Sequence, residues 1–92
     1  MENSIQRFLE RTLVLIPAFN EEDSLPGLLA DVRAHLPGAA VAVVDDGSVD
    51  GTAAVARACG ARVLRLPCNF GVGPAVQTGF RDALEGGYDY LI

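Results

Sequence analysis

The sequence has little of what would assign it to a membrane, a nucleic acid or an oxidising compartment. No stretch approaches the roughly 20 consecutive apolar residues that a membrane span requires. Met1 to Arg11 carries Glu2, Arg7, Glu10 and Arg11 and has no signal-peptide core. Positive charge is scarce: 7 Lys and Arg stand against 12 Asp and Glu, and a net charge of −5 is the wrong sign for a nucleic-acid partner. The only two cysteines, Cys59 and Cys68, lie in no metal-ligand spacing, so reduced structural thiols are expected. These absences leave the cytoplasm as the expected compartment. A glycine-rich Gly-x-Gly-x-x-Gly loop after the first strand is missing too, which argues against a dinucleotide site.

What is present is a small globular α/β domain. Half of the 92 residues are hydrophobic and 21% are charged, and a chain of this size buries roughly 60–65% of its unfolded surface. The organising stretch is Val41 to Gly51, Val-Ala-Val-Val-Asp-Asp-Gly-Ser-Val-Asp-Gly. Its β-branched apolar run suits a strand buried on both faces of a parallel sheet. Asp45 and Asp46 then stand at the strand's carboxyl end, where open α/β sheets hold their ligand crevice. Adjacent carboxylates repel, and a helix cap needs only one, so this pair is expected to contact a ligand. Gly47 allows a tight turn, while Ser48 or Asp50 can cap the helix expected over Thr52 to Cys59.

The same criteria place a strand over Thr12 to Pro17, which Pro17 should end because it has no N–H to give. A loop, Ala18 to Glu22, follows at the same sheet edge. A helix beginning near Ser24 carries the apolar stripe Leu25, Leu28, Leu29, Val32 and Leu36. His35, in its last turn, is expected to be solvated and far from the carboxylates. Arg62 to Leu66 reads as an edge strand, since its arginines suit an edge. After the loop Pro67 to Gly73, a third helix opens near Pro74 with Val76, Phe80, Ala83 and Leu84 as its buried face. Tyr88 to Ile92 begins a fourth strand. Residues 1–11 are a polar lead-in that can be helical, with Ile5, Phe8 and Leu9 able to pack on the domain.

Strand and helix alternate throughout, so right-handed crossovers dictate a Rossmann-like parallel sheet with helices on both faces. Three polar loops converge at its carboxyl edge: Pro17–Glu22, Asp45–Asp50 and Pro67–Gly73. Gly71-Val72-Gly73 before a helix can offer backbone N–H groups to a phosphate. A carboxylate can accept the ring N–H of uracil or guanine, so Asp46 suits a base and Glu21 suits ribose hydroxyls.

Leu15-Ile16-Pro17-Ala18-Phe19-Asn20-Glu21-Glu22, then Val43-Val44-Asp45-Asp46-Gly47-Ser48, then Asn69-Phe70-Gly71-Val72-Gly73-Pro74-Ala75 with Gly79, resemble the family 2 inverting glycosyltransferases. The branch they resemble most is that of the dolichol- and polyprenol-phosphate sugar synthases. The resemblance covers Thr12 to Ile92 and implies a GT-A fold with strand order 3-2-1-4. It implies nucleotide contacts for Pro17, Ala18, Glu21 and Asp46, counts Asn20 within the nucleotide-holding loop, and sets Gly71 and Gly73 beside the nucleotide. Phe19 stands where a tyrosine is common, which removes a hydroxyl.

By the same resemblance the donor is a UDP- or GDP-linked sugar, and the acceptor is a lipid phosphate or a sugar. Mg2+ or Mn2+ would be held by an Asp-x-Asp motif following the fourth strand, beyond Ile92. Residues 12–92 thus correspond to the N-terminal, nucleotide-binding half of such an enzyme, expected to be inactive by itself and open to membrane association in the complete protein. A non-catalytic nucleotide-binding or assembly module is the alternative. Tyr88 to Ile92, with one charge and no proline, is also expected to pair with another chain if its outer edge is open.

Overall fold

The computed structural model describes residues 3–92. Its elements are α1 (Ser4–Glu10), β1 (Thr12–Ala18), α2 (Leu25–His35), β2 (Ala40–Asp45), α3 (Thr52–Ala58), β3 (Arg62–Arg65), α4 (Val72–Glu85) and β4 (Tyr90–Leu91). All strands are parallel, in the order β3-β2-β1-β4, the order that the resemblance implies. Of the polar lead-in, Met1 and Glu2 lie outside the described residues. The rest is α1, which buries Leu9 and sets Phe8 against Tyr90 with ring centroids 4.6 Å apart.

Successive strand residues point to opposite faces of the sheet, and the two cores follow that alternation. On one face Val43 packs with Leu25 and Leu29 of α2 and Ala56 of α3. On the other, Leu13 and Ala42 pack with Ala83 of α4. α4 therefore crosses the opposite face from α2 and α3, as it must in returning from β3 to β4.

Three expectations change. β1 continues through Pro17 to Ala18, whose carbonyl accepts Asp46 N–H at 2.8 Å. Alternation explains the tolerance. Leu13 and Leu15 direct their backbone groups to β4, so Pro17 does too, and its missing N–H costs β1 no bond to β2. In α2 only Leu25 and Leu29 are fully buried, while Leu28 stands on the exposed side of the stripe. In α4 the buried row is Ala75, Gly79 and Ala83, not Val76, Phe80 and Leu84, which are all exposed. The helix lies so close to β1 that a Cβ on Gly79 would overlap the Leu15 side chain. Small residues permit that approach, and the large apolar ones are displaced to the flank. Among the described residues, no helix is long and apolar enough to cross a membrane.

Candidate nucleotide site

The three loops meet at the carboxyl edge of the sheet and are fastened to one another by side-chain to backbone bonds. Asn20, the only non-glycine residue with positive φ among the described residues (53°), receives support from both sides. Its N–H donates to Ser48 Oγ at 2.8 Å, and its Oδ1 accepts Val49 N–H at 3.0 Å. One residue on, Glu21 N–H donates to Thr52 Oγ1 at 2.9 Å. Then Glu22 Oε2 accepts Gly51 N–H at 2.9 Å, and Glu22 N–H donates to Asp50 Oδ2 at 3.4 Å. The first loop is thus stitched to the second over three consecutive residues.

Asp50 anchors this seam. It accepts both the N–H and the hydroxyl of Thr52, itself fully buried. The hydroxyl bond chiefly, with backbone N–H bonds in support and desolvation opposing, holds the Asp50 carboxyl below the ordinary carboxylate range. Of the two expected caps, Asp50 reaches past the N-cap residue Gly51 to accept the N–H of Thr52, the first residue of α3, whereas Ser48 does not cap and is buried as a link between loops.

The adjacent carboxylates have separate roles because they continue the strand alternation and face opposite ways. Asp45, with 1% of its surface exposed, turns toward the α2/α3 face. There Oδ1 accepts Ser48 N–H at 3.0 Å, and Oδ2 stands 3.6 Å from Arg65 Nε. Asp46 turns toward α4, where its two oxygens accept the N–H groups of Phe70 and Gly71, each at 2.9 Å. The third loop hangs on this carboxylate. It is also pressed against the second loop at Gly47 (φ 73°), where a Cβ would overlap the Cys68 carbonyl carbon and stand 2.6 Å from Asn69 N.

Between the fastened loops lies a pocket of about 240 Å3, lined by Pro17, Ala18, Phe19, Glu21, Asp46, Val72 and Ala75. Of the residues picked out in the sequence, Pro17, Ala18, Glu21 and Asp46 come together here. Asn20 and Asp45 do not. Asn20 joins the loops, and Asp45 is sealed beneath the turn. Gly71 (φ 97°) starts α4 and gives its N–H to Asp46, while a Cβ on Gly73 would meet open space. His35 is exposed, as expected, and the free thiol of Cys68 is exposed rather than buried.

Sequence reasoning missed Thr52 and Ser48 as loop fasteners. The available signal was two hydroxyl residues four apart in a turn that needs at most one cap. It also missed Val72 and Ala75 as pocket walls, because the third helix was started too late. Glu21 keeps its carboxylate at the pocket, accepting the Ser24 hydroxyl at 2.5 Å. Among the described residues no group of three or more His, Cys, Asp or Glu is placed to hold a metal ion. The described residues thus do not fit a metal site.

The sequence profile described as Glycosyl transferase family 2 matches residues 13–88. An undecaprenyl-phosphate mannosyltransferase of Micrococcus luteus is 44% identical over 87 residues, covering 89% of this chain and 36% of that protein. A polyprenol monophosphomannose synthase of Mycolicibacterium smegmatis is 37% identical over 89 residues, covering 90% and 34%. The chain thus spans about a third of the length of these relatives. Among solved structures, glucosyl-3-phosphoglycerate synthase of Mycobacterium tuberculosis, in complex with Mn2+, uridine diphosphate and glucosyl-3-phosphoglycerate, superposes with a TM-score of 0.71. That match has 24% identity and covers all of this chain and 38% of that one. A profile spanning most of the chain, two similar mannosyl-transferring relatives and the shared sheet order lead to one assignment: the chain belongs to glycosyl transferase family 2, and corresponds to the N-terminal part of its relatives.

Proposed function

We propose that this chain is the donor-binding part of a glycosyltransferase that moves a sugar from a nucleoside diphosphate to a polyprenol phosphate. The observation that carries the reading is the pocket itself. One carboxylate, Asp46, and one exposed carboxylate, Glu21, face the same apolar-walled space beside the aromatic ring of Phe19.

Each part has a task that its chemistry allows. An ionised carboxylate has about four acceptor positions, and the loop N–H groups of Phe70 and Gly71 use two of those on Asp46. The remainder can accept the ring N–H of uracil or guanine. Phe19, 42% exposed, offers a face for the base to stack on. Glu21 is set to receive ribose hydroxyls. The first turn of α4 leaves the N–H groups of Val72 and Gly73 without intrahelical partners, on the side where a diphosphate would extend. In this reading Pro17 and Ala18 form the pocket floor. Asn20, Asp45, Gly71 and Gly73 serve the nucleotide by shaping the loops around it.

The polyprenol-phosphate acceptor is supported by the names of the two mannosyl-transferring relatives, as is a working place at a membrane surface. The divalent metal belongs to residues that, by the family resemblance, follow the fourth strand. For that reason these 92 residues are expected to bind donor without transferring sugar.

Titration calorimetry with uridine and guanosine diphosphates tests the reading. The parent should bind one of them. Asp46→Asn should weaken that affinity by roughly ten-fold or more, since a hydrogen bond to a charged group is worth about 1.5–3 kcal/mol. Phe19→Ala should weaken it less, with an unchanged melting temperature. A parent that binds neither nucleotide, or an Asp46→Asn variant that binds like the parent, defeats the assignment.

A further inference from the structure

Arg65, the last residue of β3, stands outside the nucleotide pocket and lines none of it. It borders instead a separate cleft of about 650 Å3, together with Gly47, Ser48 and Val49 of the second loop. Its register partner on β2 is Asp45. Partners across a parallel pair project from the same face of the sheet, so the guanidinium is delivered beside the Asp45 carboxylate.

That carboxylate is buried and only half satisfied. Oδ1 accepts Ser48 N–H at 3.0 Å, while Oδ2 accepts no hydrogen bond from any described residue. A buried charge without a partner is costly. Arg65 Nε stands 3.6 Å from Oδ2, too far for a hydrogen bond but within reach of an ion pair, and Arg65 Nη2 donates to the Ser48 carbonyl at 3.4 Å. One guanidinium thus grips both ends of the turn that Asp45 begins. Ser48 is left with its N–H held by Asp45, its carbonyl held by Arg65 and its hydroxyl turned to the first loop.

We propose that Arg65 is a positioning residue for nucleotide binding, acting on the first loop through Asp45, Ser48 and Asn20 without touching the ligand. Ser48 Oγ accepts Asn20 N–H at 2.8 Å, and Asn20 has a φ of 53°. A non-glycine residue keeps that conformation only where its surroundings impose it. The neighbours of Asn20 on either side, Phe19 and Glu21, both line the pocket. A turn free to shift at Ser48 would let Asn20 relax and would carry Phe19 and Glu21 from their places opposite Asp46. The relay therefore runs from β3, across the end of β2, to the loop that follows β1.

The other arginine of β3 supplies the contrast. By strand alternation Arg62 faces the opposite side of the sheet, where it pairs with Asp82 of α4. It has no bonded route to the three loops. Both arginines can add to stability, but only Arg65 is connected to the pocket. For its ligand the proposal rests on the donor-site reading above, whereas the hold of Arg65 on Asn20 is independent of that reading.

Titration calorimetry with uridine and guanosine diphosphates, joined to hydrogen exchange at the Asn20 amide, provides the test on the 92-residue chain. Both are run at a temperature where every variant is folded. Arg65→Met should weaken nucleotide affinity roughly five-fold or more, the scale of couplings within one hydrogen-bond network. It should also speed exchange at Asn20 while Val43 and Val44 of β2 keep their protection. Arg62→Met should leave both readouts at the parent's values. If the buried Asp45 charge keeps Arg65→Met from folding, the same change is made in an Asp45→Asn background, where no charge is left buried. That double variant should bind more weakly, and exchange faster at Asn20, than Asp45→Asn alone. Parent-like affinity after loss of Arg65, weaker binding with Asn20 protection unchanged, or an equal effect of Arg62→Met overturns the proposal. A parent that binds neither nucleotide defeats the donor-site reading, and an Asn20 amide that stays protected without Arg65 defeats the relay in that case as in any other.

Discussion

The carboxyl edge of the sheet and the α4–β4 flank are built on opposite terms. At the carboxyl edge, polar side chains are drawn inward: Asp46, Ser48 and Thr52 are buried and bonded to neighbouring loops, and Asp45 is buried with Oδ1 bonded to Ser48 and Oδ2 left to Arg65 at 3.6 Å. At the flank, large apolar side chains point outward and touch little. Burying polar groups is costly unless each finds a partner, so the edge is specified almost atom by atom. Leaving apolar groups exposed costs little structure but supplies adhesion. The edge is therefore held by many directed bonds, and the flank, among the described residues, is left open.

The strongest way to break the comparison is to disturb the edge at its tightest point. Gly47 has positive φ, and a Cβ there runs into the backbone of Cys68 and Asn69. Backbone cannot step aside as the end of a side chain can. Gly47→Ala should therefore cost about 2–4 kcal/mol, combining a left-handed conformation with overpacking. A thermal melt should show the midpoint falling by roughly 10–25 °C for a domain of this size. An unchanged midpoint would mean that the third loop is free to lift from the second.

A gentler disturbance removes one fastener and keeps its shape. Thr52→Val preserves the volume but leaves Glu21 N–H without its acceptor and Asp50 without the hydroxyl. The cost should be about 1–3 kcal/mol, with a loss of nucleotide affinity because Glu21 is no longer held at the pocket. Acid acts on the same seam. The Asp50 carboxyl is held low by Thr52, so its contribution is complete above the ordinary carboxylate pKa and disappears as pH falls through the lowered value. In the parent, stability should thus decline in that acid window, and Thr52→Val should flatten that part of the profile. A parallel decline in both proteins would show that another group governs the acid limb.

The two regions were also unequally legible in the sequence. Sheet order and crossover pattern could be anticipated because buried parallel strands are continuous apolar runs, and Val41–Val44 and Leu13–Ile16 are unmistakable as such. Asp46, Glu21, Pro17 and Ala18 could be placed at one edge because each ends a strand or follows one. What spacing cannot reveal is a side chain's direction after the strand has ended. Asp45 and Asp46 look equivalent as letters, yet one residue of alternation sends them to opposite faces. Asn20 reads as a polar loop residue, and only its contacts with Ser48 and Val49 show that it fastens the loops. On α4 the error was of another kind. The expected face joins Ala83, of the small row, to the larger Val76, Phe80 and Leu84, and of these only Ala83 is buried. The close approach to Leu15 chose the smaller.

That choice supports the smallest effect expected, which sharpens the contrast rather than breaking it. Leu84 is a leucine on an amphipathic helix, and by composition alone it should matter as much as Leu29. Burial separates them: Leu29 is 1% exposed and Leu84 66%. Leu29→Ala should cost about 2–5 kcal/mol, the range for a core leucine whose site cannot collapse. Leu84→Gln, measured dilute enough that only monomer is present, should change stability by no more than about 0.5 kcal/mol. Glutamine keeps good helix propensity, so the substitution tests packing and little else. Urea titration of both variants gives the two midpoints directly. If Leu84→Gln costs more than about 1.5 kcal/mol with an unaltered slope, the α4 flank is packed in solution, and the division between a bonded edge and an open flank fails.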